Sequence, residues 1–246
     1  MMTSKNGGQI LCPLTFTTTN NYDNNLQTLK QYIMNLPKNS IILAPEVCLT
    51  GFDYDNIHGM LAFVSDATKQ LLEISKDKTI MLTMIEKKDN EVWNIFKVFK
   101  NQKLIYERGK SKLFRFGNED KYIKEADKED VDLFEIDGIK CGVLICFELR
   151  FKELWQKLEG ADIIFIPAWW GALRKEHLIT LTKALAVINQ CYVVVSDSEN
   201  KECTQLISVI KPDGVALYNE EMKPLVVQYE KKQVTRMRRY MDVGIG

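Results

Sequence analysis

The sequence predicts an α/β protein made of two mixed β-sheets covered by helices, and three observations lead there. Short apolar runs of strand character alternate with segments of helical periodicity along most of the chain. Antiparallel pairs interrupt that alternation at turn dipeptides such as Asp137-Gly138. No stretch rich in Pro, Gly or Ser divides the chain, so residues 1–246 are expected to form one domain.

Residues 9–16 read as a short strand. In residues 23–36, Leu26, Leu29, Ile33 and Leu36 recur at helical spacing, and Pro37 closes the segment. Residues 40–44 form a buried strand that runs into Pro45 and Glu46. A second helix carries Met60, Leu61, Val64, Ala67, Leu71 and Leu72, and residues 79–85 return to strand. Residues 91–100 and 103–107 pair across Asn101-Gln102, and residues 133–136 and 139–145 pair across Asp137-Gly138. That last strand ends at Cys146, and an amphipathic helical segment, 147–158, follows at once. A strand at 162–167, a helix over about 175–189 and strands at 192–196, 206–210, 215–218 and 225–229 complete the order.

Composition narrows the functional classes. Lys plus Arg equals Asp plus Glu at 33 each, so no overall field draws nucleic acid or a membrane surface. The basic run 231–239 reads as a solvated tail or edge. No apolar run approaches the roughly 20 residues that span a bilayer. The opening MMTSKNGGQI lacks the apolar core of a signal peptide, so a cytoplasmic location is expected. The six cysteines are scattered without a C-x-x-C pair, and there are only two histidines. Reduced thiols are therefore expected, with no metal site and no disulfide framework.

Three polar residues stand at strand ends. Cys146 follows Val143, Leu144 and Ile145 and begins a helical segment, where unpaired N–H groups favour a thiolate. A cysteine in such apolar surroundings is more often an inert core residue. Glu46 follows a buried strand directly, and poor solvation there raises a carboxyl pKa and suits it to general base work. Lys110 follows another strand and precedes Leu113 and Phe114. Alone, Glu46 is more often a capping or surface glutamate and Lys110 a solvated lysine.

Taken in order, these segments resemble the nitrilase superfamily, the carbon–nitrogen hydrolases. The likeness rests on Pro45-Glu46 with Thr50-Gly51-Phe52, on Tyr106 and Lys110 with Leu113-Phe114, and on Ile145-Cys146-Phe147-Glu148-Leu149-Arg150-Phe151. It continues through Trp93-Asn94, Gly142, Asp162, Pro167-Ala168, Arg174, His177 and Asn189-Gln190, and so covers nearly the whole chain. The resemblance implies a four-layer αββα sandwich and no cofactor. It implies Cys146 as nucleophile, Glu46 as general base and Lys110 as electrostatic stabiliser. Glu119, nine residues beyond Lys110 as in relatives resembling omega-amidases, is implied to support the lysine, with Glu125 as the alternative. Phe147, Arg150 and Trp169 are implied substrate contacts. Arg150 is suited to grip a substrate carboxylate, or equally to form a structural ion pair. His177 and Arg174 could line the pocket.

The expected activity is hydrolysis of a primary amide, of the omega-amide type, to a carboxylic acid and ammonia. A carbamoyl-amide hydrolase and a catalytically silent relative that binds a metabolite or a protein are the alternatives. The resemblance also implies a homodimer or larger homo-oligomer. The chain departs from the family where an arginine and a glutamate are replaced by Leu185 and Ile188, which reads as the joint loss of an ion pair. Lys152 stands where relatives usually hold proline.

Overall fold

In the computed structural model of the chain, residues 8–218 and 224–245 are described. The first sheet holds β1 (Ile10–Pro13), β2 (Ser40–Leu43), β3 (Thr79–Lys88), β4 (Glu91–Lys100), β5 (Lys103–Gly109) and β12 (Val227–Gln228). Its order is β12-β1-β2-β3-β4-β5. The second sheet holds β6 (Phe134–Ile136), β7 (Ile139–Val143), β8 (Ile163–Ala168), β9 (Tyr192–Asp197), β10 (Ile207–Ile210) and β11 (Ala216–Tyr218). Its order is β11-β10-β9-β8-β7-β6. Both sheets are mixed. β1 to β3 run parallel and so do β7 to β9, while the outer strands pair antiparallel.

Four layers result. Helices α1 (Tyr22–Asn35) and α2 (Ile57–Ile74) cover the outside of the first sheet, and α3 (Lys152–Lys157) and α4 (Lys175–Ile188) lie on the second. The sheets meet through β1 and β2 against β9 and β10. Period-two alternation explains how the first sheet serves both neighbours. Ile41 and Leu43 of β2 join the core shared with the second sheet, while Ile42 joins the cluster beneath α1 and α2. A strand buried on both faces reads as an unbroken apolar run, as SIIL does. The sandwich is the αββα arrangement expected.

Local chemistry fixes the element ends. Asn21 caps α1 by accepting from the Asn24 N–H at 3.0 Å. Asp137 and Gly138 both take positive φ, as do Asn101 and Gln102, so each hairpin turns as the sequence implied. Two expectations shift. The segment after Cys146 is a 3₁₀ turn, Cys146–Arg150, and α3 starts only at Lys152. The basic C-terminal run is neither tail nor edge but a helix, α5 (Lys231–Tyr240). It buries Val234, and the Arg238 guanidinium donates to the Ala161 carbonyl at 2.6 Å. Leu185 is fully buried and Ile188 half exposed, so the two aliphatics that replace the family's charged pair sit in different surroundings.

The parallel strands set the site. β2, β7 and β8 point the same way within their sheets and end in the segments bearing Glu46, Cys146 and Trp169. The Glu46 N–H donates to the Ala168 carbonyl at 3.2 Å, tying the two sheets together where these segments meet.

Candidate active site

A cavity of about 330 Å³ opens at these strand ends, lined among others by Glu46, Lys110, Glu119, Cys146, Phe147, Arg150 and Trp169. These seven side chains given roles from the sequence therefore converge, and Arg174 joins them, whereas His177 and Glu125 are not part of the lining. Lys110, the residue after β5, is the hub. Its ammonium donates to Glu46 Oε1 at 2.8 Å and to the two oxygens of Glu119 at 2.8 and 2.9 Å. Glu119 also accepts from the Phe114 N–H at 2.7 Å, which fixes the loop around the lysine. Glu125 accepts from the Leu113 N–H at 3.2 Å, so of the two candidate glutamates Glu119 is the one bonded to Lys110.

Glu46 Oε1 also accepts from Asn94 Nδ2 at 2.9 Å. Its Oε2 makes no ordinary hydrogen bond among the described residues, and the Cys146 thiol is the neighbour on hand to favour its charged form. Burial pushes the Glu46 carboxyl upward. The charge of Lys110 works against that, and the charge of Glu119 adds to it. Burial alone would pull the Lys110 ammonium down, but Glu46 and Glu119 outweigh it and hold the pKa above the usual lysine range.

Cys146 departs from its expected state. Burial, then the negative charge of Glu46, push its thiol well above the usual range, with Lys110 and a backbone hydrogen bond from Trp169 resisting. A single 3₁₀ turn supplies too weak a field to reverse this, so the surroundings of the sulfur favour the thiol form. Its backbone is held at φ +46°, and Val47, next to Glu46, at φ +42°. Such conformations are costly for side-chain-bearing residues, above all a β-branched one, and persist only where surroundings impose them. The Val47 N–H is held by Thr83 Oγ1 at 2.7 Å.

The turn carrying Cys146 is held from beneath. Arg108 of β5 donates to both oxygens of Glu148 at 2.9 and 2.6 Å. The same carboxylate accepts from the N–H of Ser111, the hydroxyl of Ser111 and the N–H of Ile145, at 2.6, 2.9 and 2.7 Å. One buried ion pair thus joins the lysine loop to the cysteine turn. Arg108 was missed in the sequence, although a signal existed. Tyr106 and Arg108 alternate along β5 with Lys110 next in phase just beyond its end, so Arg108 faces inward, and an inward arginine needs an acidic partner.

The outer wall is aromatic and cationic. Phe52 meets Trp169 edge-on at 6.0 Å, and the Lys110 ammonium lies 5.9 Å from the Phe52 ring. Arg150 stacks 4.7 Å above the Trp170 ring and contacts His177 Nδ1 at 3.2 Å. Arg174 lies 5.4 Å from the Phe114 ring and also lines the cavity. Burial and repulsion from Arg174 push the Arg150 guanidinium down from its usual value. Tyr54, Trp170 and Glu202, which no motif flagged, also line the cavity. Among the described residues no cluster of His, Cys, Asp and Glu suited to a metal ion occurs, and no helix is long and apolar enough to cross a membrane.

Comparison with known proteins fits this geometry. Residues 9–215 match the family model described as carbon-nitrogen hydrolase. A deaminated glutathione amidase of Escherichia coli O157:H7 is 26% identical over 250 residues, 93% of each chain. A 2-oxoglutaramate amidase of Bacillus subtilis (strain 168) is 31% identical over 160 residues, 62% of this chain and 61% of that protein. A solved CN-hydrolase superfamily protein from Xanthomonas campestris, with an arsenic adduct in its active site, superposes with a TM-score of 0.83. That superposition covers 96% of both chains at 18% identity, a likeness of fold.

Proposed function

The chain belongs to the carbon–nitrogen hydrolase family, and on that premise we propose that it hydrolyses a small primary amide bearing a carboxylate, through a thioester on Cys146. The observation that carries the reading is the Lys110 ammonium bridging Glu46 and Glu119 inside the cavity that holds Cys146. Amidase-named relatives support the reaction class.

Glu46 is the general base. It takes the thiol proton as sulfur attacks the amide carbon, and the carbonyl oxygen becomes an oxyanion. A base is needed because the buried thiol is held protonated. Lys110 stabilises the oxyanion as a fixed charge, since its donors are already engaged by the two glutamates, and the Phe147 N–H adds a directed hydrogen bond. The intermediate collapses, the C–N bond breaks, and protonated Glu46 returns its proton to the departing nitrogen as ammonia. Glu46 then deprotonates a water that attacks the thioester. The C–S bond breaks, the acid leaves, and the proton goes back to sulfur. Glu119 keeps Lys110 charged and in place. Trp169 and Phe147 enclose the substrate, while Arg150, with Arg174 beside it, takes its carboxylate. The chain is further proposed to act as one domain, in the cytoplasm, as a homodimer or larger assembly.

The test is ammonia release across small primary amides with and without a terminal carboxylate, carbamoyl compounds and nitriles. Carboxylate-bearing amides are expected to lead. Cys146→Ala is expected to abolish release while leaving the unfolding midpoint near that of the wild type. Turnover retained in that variant removes Cys146 from the role of nucleophile.

A further inference from the structure

Asp197 ends β9 and is fully buried, yet the groups that hold it are neutral donors. Its Oδ1 accepts from the Trp170 N–H at 2.8 Å, and its Oδ2 accepts from the N–H and the hydroxyl of Thr204 at 2.9 and 2.5 Å. An uncompensated buried carboxylate is expensive, and burial pushes this one up to about 6 against the pull of those donors. An ionised acceptor, in return, makes shorter and stronger bonds than a neutral one.

The partners of Asp197 belong to the cavity wall. Trp170 follows Trp169, whose backbone offers the hydrogen bond that favours the Cys146 thiolate. The ring of Trp170 lies beneath Arg150, and its Nε1–H donates to the Arg174 carbonyl at 2.9 Å. Thr204 also donates its N–H to the Trp170 carbonyl at 2.9 Å, and the Ala172 N–H donates to the Glu202 carbonyl at 2.8 Å. Two short segments, 169–172 and 202–204, are thus latched side by side, and Asp197 is the common acceptor behind them. The Asp197 charge also raises the Cys146 thiol, so its loss alone would speed alkylation, and slower alkylation reports the displaced Trp169 backbone instead.

We propose that Asp197 is a positioning residue that aims the Trp169-Trp170 backbone at the nucleophile and the Trp170 ring at Arg150. For its effect on substrate the proposal rests on the amidase reading; for its effect on sulfur it stands alone. An acceptor removed here frees the wall to shift, and small displacements of positioning groups cost far more in reaction than in stability.

The wild type is compared with Asp197→Ala, Asp197→Asn and Thr204→Val, with unfolding midpoints as the check on folding. Two quantities are read: KM and kcat for a carboxylate-bearing primary amide, and the rate of Cys146 alkylation by iodoacetamide. Asp197→Ala is expected to raise KM about tenfold, with a smaller fall in kcat, and to slow alkylation about tenfold. Asp197→Asn keeps one oxygen for the Trp170 N–H and is expected to bring both readings back to within about threefold of the wild type. Thr204→Val removes one donor at nearly constant shape and is expected to slow alkylation about threefold; it decides the matter if Asp197→Ala does not fold. Wild-type KM and alkylation in folded Asp197→Ala overturn the proposal, as does an Asn variant no better than the Ala one. With Asp197→Ala unfolded, unchanged alkylation in Thr204→Val does the same. Alkylation needs no turnover, so a chain that hydrolyses no amide ends the functional reading while Asp197 is still judged at the sulfur.

Discussion

At Glu46, burial raises the carboxyl pKa while Lys110 lowers it, and burial prevails. In the mechanism proposed above Glu46 is a base, which works only when deprotonated, so the sign follows directly. The kcat/KM should fall as pH drops through this raised pKa, placing the acid limb above the ordinary glutamate range. Glu46→Gln should remove that limb together with nearly all turnover, a loss of about 10²-fold or more. A pH profile of kcat/KM for both proteins measures it. Glu46, Lys110 and Cys146 were legible in the sequence because each sits in a contiguous, strand-terminating motif. The protonation of Cys146 was not. It depends on burial and on a carboxylate a hundred positions earlier in the chain, and the local cue of a helix start pointed the opposite way. Asp197 carried no cue at all, since its meaning lies in Trp170 and Thr204, which only folding brings beside it.

At the scale of elements, the 3₁₀ turn Cys146–Arg150 and the loop bearing Lys110 are held in register by Arg108 and Glu148. A burial-free reading would rate that ion pair as modest. Its location changes the arithmetic, because removing one partner strands a charge in the interior. Arg108→Leu leaves Glu148 without its cation and should cost about 3–5 kcal/mol of stability, read by urea unfolding. The hairpin turns were legible because Asp-Gly, and Asn at the first turn position, tolerate positive φ. The break between Cys146 and α3 was not, because the apolar spacing of 147–158 continues through it. The unpaired strand end at Ile145 is instead met by the Glu148 side chain, which accepts from the Ile145 N–H and favours a tight turn over a continuous helix.

For the whole molecule, the decisive feature is that one face of each sheet is spent on the other sheet. Phe165 stands at the middle of the second sheet, wholly buried, and its carbonyl accepts from the Leu144 N–H at 2.9 Å, two residues before Cys146. Phe165→Ala should cost about 3–5 kcal/mol, measured by the same urea titration. Two mixed sheets covered by helices were legible from the alternation of apolar periods, while the four-layer order came only from the family resemblance; the docking of α5 was not legible, since a basic run declares no partner. Asp162 and the Ala161 carbonyl, just before β8, supply one. The site itself draws on both sheets: Glu46, Lys110 and Glu119 belong to the first half of the polymer, Cys146, Arg150 and Trp169 to the second. A cut in the surface stretch 127–130 would therefore leave the carboxylates and amine on one fragment and the sulfur on the other. Neither piece would be chemically competent, and recovered ammonia production would count reunited halves, turning the two-sheet architecture into a built-in complementation reporter.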